Sequence, residues 1–300
     1  MMILGMVVWI LRVRLDIACA VSILCSRTQE ATTRDMEELE RLVAYLAFTE
    51  KIGVTFHPEE IDEDKSKEWV EQTGYADAAA RAYKKDSQAQ NGIATKLGGH
   101  DSKSGMYMGS SAKNKSMVPL ASTGAELAAA VEEVKDIIWS REMLKEWGFN
   151  CEEATNVATK VMEDNKSLIT VANDYSKGSK RMRQSLNLVH FLMDNIQRKN
   201  IEFVWLIGME HPTDGMSKPV RPKIHWRHMS KLMGEHPDIE DARRRAGQGE
   251  GQQTVKSEGY RKVNCAVYEE ARQRQIANER REYETERNRI FINMQKVSRG

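Results

Sequence analysis

The run WVEQTGYADAAARAYKKDSQAQNGIATKLGGHDSKSGMYMG (69–109) decides the fold. It reads as three strands, 69–78, 92–96 and 105–109, separated by Gly-, Ser- and Asn-containing turns, the pattern of an antiparallel meander. A long helix is expected next over about 122–147, with Leu127, Val131, Val134, Ile138 and Leu144 along one face and Gly148 as its stop. The β-branched run ATNVATKVM (154–162) supplies a fourth strand and 165–173 a short helix. Residues 179–198 place Leu186, Val189, Leu192, Met193 and Ile196 at helical spacing, IEFVWLIG (201–208) is a fifth strand, and 213–220 begins a last helix or turn. The order β-β-β-α-β-α-α-β-α predicts an α/β fold with a mixed sheet covered by helices.

Outward from this core, an acidic linker PEEIDEDKSKE (58–68) precedes the first strand. Before it, 33–48 reads as a helix with Met36, Leu39, Leu42, Val43 and Leu46 on one face and Thr32 or Thr33 as its cap. The apolar run MMILGMVVWIL (1–11) is followed at once by Arg12 and Arg14 and is too short to span a bilayer, which needs about 20 residues. Ala18-Cys19-Ala20 imitates a signal-peptide cleavage site, but no basic residue precedes the apolar run, so a buried amphipathic helix is expected. After residue 220 the charge changes sign: 221–300 hold 18 Lys plus Arg against 12 Asp plus Glu, whereas 1–220 hold 27 against 32. GQGEGQQ (247–253) is a flexible break, and 268–294 is a charged helical stretch without a continuous apolar stripe. Three units are expected: 1–60, 69–220 and 221–300.

The near-neutral total of +1 excludes a uniformly basic nucleic-acid coat and an acidic tail protein. With 30% charged and 40% apolar residues, 300 residues suffice to bury a sizeable core. Cys19, Cys25, Cys151 and Cys265 form no C-x-x-C pair, which argues against a disulfide framework or structural zinc and for a reducing compartment, cytoplasmic or nuclear.

Four acids carry the functional question, and each has an ordinary structural reading. Glu126 closes a T-x-x-E capping box with Thr123, Asp164 stands where a helix N-cap belongs, Asp214 suits a cap or turn, and Asp77 suits a strand end. Together they sit on the first strand, the first turn of the long helix, the exit of the fourth strand and the entry of the last helix, places that can converge at one edge of the sheet.

In these pieces the sequence resembles the ribonuclease H domain that closes the polyprotein of copia-type retrotransposons. GYADAAA (74–80) is similar to the family's GYSDADWA, LASTGAE (120–126) to LSSTEAE, and IIWSREMLKEWGF (137–149) to ALWLRRLLEELGF. MEDNKSLITVAND (162–174) resembles CDNQSAIALAKN, SKRMRQ (179–184) the helix entry that contains TKHI, and TDGMSKPV (213–220) ADILTKPL. RLDIACAVSIL (14–24) and LERLVAYLAFTEKIGVTF (39–56) resemble RPDIAYAVGLL and LKRVLRYLKGTKDLGLVY, the region joining polymerase to ribonuclease H. The likeness runs from about residue 5 to about 234 and omits the polymerase palm, so DNA synthesis is not expected. It implies a ribonuclease H-like mixed five-stranded sheet flanked by helices, with a helical N-terminal remnant of the reverse transcriptase and a charged helical C-terminal tail. The departures are Leu15 for Pro, Ala79 for the second Asp of DAD, Gly124 for the first Glu of TEAE, DSQAQNG (86–92) for RSTSG, and Leu206-Ile207-Gly208 for VPT.

The resemblance implies that Asp77, Glu126, Asp164 and Asp214 are the catalytic, metal-holding acids. Clustered carboxylates repel unless hard cations share them, and an all-oxygen donor set suits Mg²⁺ or Mn²⁺. Two ions about 4 Å apart are implied, Asp77 serving both, Glu126 and Asp164 one, and Asp214 the other. The implied substrate is an RNA–DNA hybrid, read through 2′-hydroxyl and phosphate contacts, with a polymerase part of the same polyprotein as partner and no membrane role. Contact candidates are Ser122, Thr123, Asn165, Lys113 and Lys115, and the basic cluster Lys180, Arg181 and Arg183. His211 reads as a surface histidine, with a proton-shuttle role as the alternative. Three functions follow: an active hybrid-cutting endonuclease, a decayed fragment that binds nucleic acid or a protein partner without cutting, and an interaction module carried by the basic tail.

Overall fold

A computed structural model describes residues 2–57, 71–83, 88–114, 122–148, 158–174 and 185–248. Helices α1 (Met2–Ile10), α2 (Ala18–Cys25) and α3 (Thr33–Phe48) precede strands β1 (Gln72–Tyr83), β2 (Gln88–Leu97) and β3 (Met106–Lys113). Then come α4 (Ser122–Glu146), β4 (Thr159–Glu163), α5 (Lys166–Asn173), α6 (Leu186–Gln197), β5 (Ile201–Trp205), α7 (Asp214–Ser217), α8 (Pro222–Met233) and α9 (Asp238–Gln248). The five strands form one sheet in the order β3-β2-β1-β4-β5. β1–β2 and β2–β3 are antiparallel, whereas β1–β4 and β4–β5 are parallel. This is the expected mixed five-stranded sheet flanked by helices.

The first hairpin is longer than its apolar pattern. Gln90 and Asn91 belong to β2 because Gln90 pairs with Ala79 on one side and Lys113 on the other. The Gln90 amide donates to Ser22 Oγ at 2.9 Å and Ser111 Oγ at 2.7 Å, so a polar strand is buried with its donors met.

Successive residues face opposite layers of the sheet. Ala76, Ile93, Val161 and Ile201 share a core with Leu127, Val134 and Ile137 of α4, Leu168 of α5 and Leu192 of α6. Tyr75, Ala94, Met106 and Met162 face the second layer. That layer is built from both flanks: Ile17, Leu39 and Leu42 meet Trp226, Met229 and Leu232 of α8, and Ile239 and Ala242 of α9. A buried polar network ties it together. Arg14 pairs with both oxygens of Asp16 at 2.9 Å, and the Tyr45 hydroxyl donates to Asp16 Oδ2 at 2.6 Å while lying 2.9 Å from His225 Nε2. Gly234, at φ 79°, ends α8 in the left-handed region. Beside it the Thr55 amide donates to Met233 O and the Gly105 amide to Thr55 O, both at 2.8 Å.

Two flank expectations change. Helix α1 forms but buries only Leu4 and Val7; Met2, Ile3, Met6 and Trp9 are exposed, because a single stripe of it meets the rest of the chain. In α3 the buried stripe is Leu39, Leu42 and Tyr45, with Met36 and Val43 exposed, and Thr32 caps it through a reciprocal pair with Asp35. Among the described residues no helix is long and apolar enough to cross a membrane.

A further acid is buried between α4 and the sheet. Glu133 of α4 is fully buried against β1 and β2, accepting from Thr95 Oγ1 at 2.8 Å, and a Cβ on Gly74 would lie 2.5 Å from its Oε1. Burial, with the charge of Asp136 behind it, pushes its carboxyl up to about 8. The folded chain therefore holds this proton more tightly than the unfolded one. That stability is fully present below the ordinary carboxylate range and is lost as pH rises through 8. Glu133→Gln, isosteric with the protonated acid, is expected to match the wild type near pH 4 and to exceed it by about 5 kcal/mol at pH 9, measured by denaturant unfolding. Equal stability of the two proteins at pH 9 would refute it.

Candidate metal centre

β1, β4 and β5 run parallel, so their C-terminal ends open on one side of the sheet, where α/β folds collect their ligands. Asp77 lies on β1 and is buried; Asp164 follows the last residue of β4 and is half-buried; Glu126 projects from the first turns of α4 and is buried. One carboxylate oxygen from each lies within 4.8 Å of the others. Two glycines make the approach possible. A Cβ on Gly92, the β2 partner of Asp77, would lie 2.8 Å from Thr213 O and Ser217 N, so α7 packs directly on the strand. A Cβ on Gly208 would lie 2.8 Å from Asp164 Oδ2.

The ordinary readings of these acids give way in two cases. Glu126 reaches across to β1, its Oε2 accepting the Ala78 amide at 2.7 Å. The cap of α5 is Asn165, whose Oδ1 accepts the Ser167 and Leu168 amides at 3.0 and 3.2 Å, leaving Asp164 to the cluster. Asp214, which opens α7, is not one of the three that converge; it lies near Asp77, and its carboxylate is ion-paired with Lys218. Ser217 Oγ donates to Asp77 Oδ2.

The cluster is electrostatically loaded. Burial, then the charges of Asp77, Glu163 and Asp164, push the Glu126 carboxyl up to about 10. Burial and Asp77 likewise raise Asp164 and Asp214. Lys218 is raised despite its burial, because Asp77, Asp214 and Asp164 surround its ammonium with negative charge. Crowded oxygen-only donors, with the Glu126 and Asp164 carboxyls raised, fit a hard divalent ion such as Mg²⁺ or Mn²⁺.

Three further residues shape the cluster. Glu163 is fully buried under the cluster; its Oε1 accepts the Asn165 amide at 3.0 Å, its Oε2 has no hydrogen-bond partner, and burial with neighbouring charge holds its carboxyl well above the usual range. Its signal was the acidic pair Glu163-Asp164 at a strand end. Lys218 and Ser217 stand one helical turn after Asp214. His211 is not a surface residue. Its Nε2 donates to Met162 O at 3.0 Å and its Nδ1 lies 2.8 Å from Thr213 Oγ1, which pins the loop before α7 to β4.

Of the contact candidates, Ser122 is exposed, Thr123 is half-buried, Lys113 ends β3, and the carbonyl of Asn165 is spent on its cap. Lys115, Lys180, Arg181 and Arg183 lie outside the described residues.

The strand order, the strand directions and the helices on both faces match the ribonuclease H-like architecture. No protein-family model matches the chain, and no curated protein matches it. Solved structures similar to part of it include two of LC11-RNase H1. LC11-RNase H1 in complex with an RNA/DNA hybrid shares 17% identity over 49% of this chain and 93% of its own, with a TM-score of 0.33. A structure of LC11-RNase H1, isolated from compost by a metagenomic approach, shares 16% over 49% and 91%, also with a TM-score of 0.33.

Proposed function

We propose that this chain is a divalent-cation-dependent endonuclease that hydrolyses the RNA strand of RNA–DNA hybrids within a copia-type retrotransposon polyprotein. The observation that carries the reading is the convergence of Asp77, Glu126 and Asp164 oxygens within 4.8 Å at the open ends of parallel strands. These three would hold one ion, and Asp214 with Asp77 would hold a second, Mg²⁺ or Mn²⁺ in each case. Bound there, a divalent ion supplies Lewis-acid polarisation of a phosphodiester and balances the acids. The protein's own part is orientation: the Ala78 amide fixes Glu126, Ser217 fixes Asp77, and Lys218 holds Asp214 until substrate arrives. In this reading 69–220 is the nuclease unit, and the RNA–DNA hybrid and the polymerase part of the same polyprotein are its partners. The setting is a cytoplasmic or nuclear element particle.

Incubating a labelled hybrid with the protein and Mg²⁺ should give RNA-strand cleavage that chelation stops, with duplex DNA left intact. No cleavage, with wild type and Asp164→Asn indistinguishable, would sink the proposal. A second reading, binding without cutting, draws on Lys218, whose ammonium already offsets Asp214 and Asp77. It predicts hybrid binding that is insensitive to chelation and shows no turnover.

A further inference from the structure

The run that leaves β5, alongside the Asp164 end of β4, places three large apolar side chains in solvent. Trp205 is 48% exposed, Ile207 50% and Met209 62%, within five residues. Trp205 continues the alternation of Ile201 and Phe203, whose side chains pack in the first core, so its ring lies on that face at the last paired position of β5, opposite Glu163. This run is anchored next to the acids: the Leu206 amide donates to Glu163 O at 2.9 Å, and Gly208 lies against Asp164 Oδ2. Across it, Lys166, the first residue of α5 and two after Asp164, holds its ammonium 4.4 Å from the centre of the Trp205 ring. Buried apolar contact thus stops, and an exposed aromatic face with a cation above it starts, at the rim of the carboxylate cluster.

We infer that Trp205, Ile207 and Met209 form a platform for the sugar–phosphate backbone of the nucleic-acid strand that flanks the scissile phosphate. In this arrangement Trp205 takes the apolar face of a sugar ring or an unstacked base, and Lys166 takes the adjoining phosphate. The inference rests on the proposed nuclease reading and deepens it. Charge argues for this occupant: a cation at the rim of an acidic cluster is where a polyanion must be held if it is to be brought to acids that otherwise repel it. A sugar or base needs a flat apolar surface and tolerates any sequence, which an indole supplies.

The test measures hybrid binding by fluorescence anisotropy with the full chain in Ca²⁺, across a range of salt, together with Mn²⁺ binding by calorimetry. Trp205→Ala is expected to weaken hybrid binding about tenfold and Trp205→Phe by no more than about threefold, because the second keeps an aromatic face. Lys166→Met should weaken it about threefold and lower the slope of log affinity against log salt by about one. Mn²⁺ binding should be unchanged in all three variants, which separates the platform from the acids. If the wild type binds hybrid and Trp205→Ala binds it equally well, the platform is overturned while the nuclease reading stands. If the wild type binds no hybrid, both fall. If Trp205→Ala instead dissociates an oligomer, seen by light scattering, with hybrid affinity unchanged, the surface is a contact between copies and the inference is wrong.

Discussion

Asp77→Asn is expected to abolish hybrid cleavage and, in chelator, to melt above the wild type. Asp77 acts on every other acid of the cluster: after burial, its charge is a cause of the raised carboxyls of Glu126, Glu163, Asp164 and Asp214. Its neutral isostere keeps an oxygen for the Ser217 hydroxyl to donate to but removes that repulsion. The metal-free fold should gain on the order of 1–2 kcal/mol, a rise of roughly 3–6 °C. The same change withdraws the ligand shared by both proposed ions, so cleavage should fall at least about 10³-fold, equivalent to ~4 kcal/mol at the transition state. Mg²⁺ should raise the melting temperature of the wild type and leave that of the variant unmoved. Cleavage within tenfold of wild type would remove Asp77 from the ligand set.

The second large effect is structural. Gly234→Ala places a methyl group where φ is 79° and where a Cβ would lie 2.3 Å from both Gly105 N and Thr55 O. Neither neighbour is the end of a flexible side chain; both are backbone atoms of the seam that joins residues 55, 105 and 233. The left-handed conformation costs an alanine about 1 kcal/mol before any overlap is counted. A total loss of at least about 3 kcal/mol, near 10 °C in melting temperature, is expected. Gly247→Ala is the control: its Cβ would meet nothing within 4 Å on α9, and it should leave stability unchanged or slightly raised. Similar melting temperatures for the two variants would contradict the account.

Much of this was legible in the sequence, because the first core obeys simple periods. The long helix expected over 122–147 runs Ser122–Glu146, since Leu127, Val131 and Val134 recur at helical spacing and Gly148 stops it. Strand ends were less legible. Residues such as Gln90 and Ser111 look like turn residues and enter strands because their partners satisfy them. The second layer was hidden for another reason. Lys and Arg outnumber Asp and Glu after residue 220, 18 to 12, and the charged residues mask the stripe Trp226, Met229 and Leu232 at helical spacing in α8. At the centre, motif likeness picked out the acids, and the structure brings Asp77, Glu126 and Asp164 together. Lys218 and Ser217 were not legible, and Glu163 and His211 showed only as an acidic pair and a surface histidine, because their importance comes from burial and from contacts made across the sheet.

The two-flank construction of the second layer bears on how the chain is made. Tyr75, Ala94, Met106 and Met162 are capped from the N-terminal side by helices synthesised before the sheet, and from the other side by α8 and α9, which leave the ribosome after it. Until about residue 246 has emerged, a growing chain with its sheet complete presents half of an apolar face to its surroundings. Closure then depends on joining segments some 200 residues apart, an arrangement of high contact order that folds slowly and exposes partly formed chains to aggregation. Yield on expression should therefore respond more to chaperone supply and synthesis temperature than the stability of the finished protein suggests.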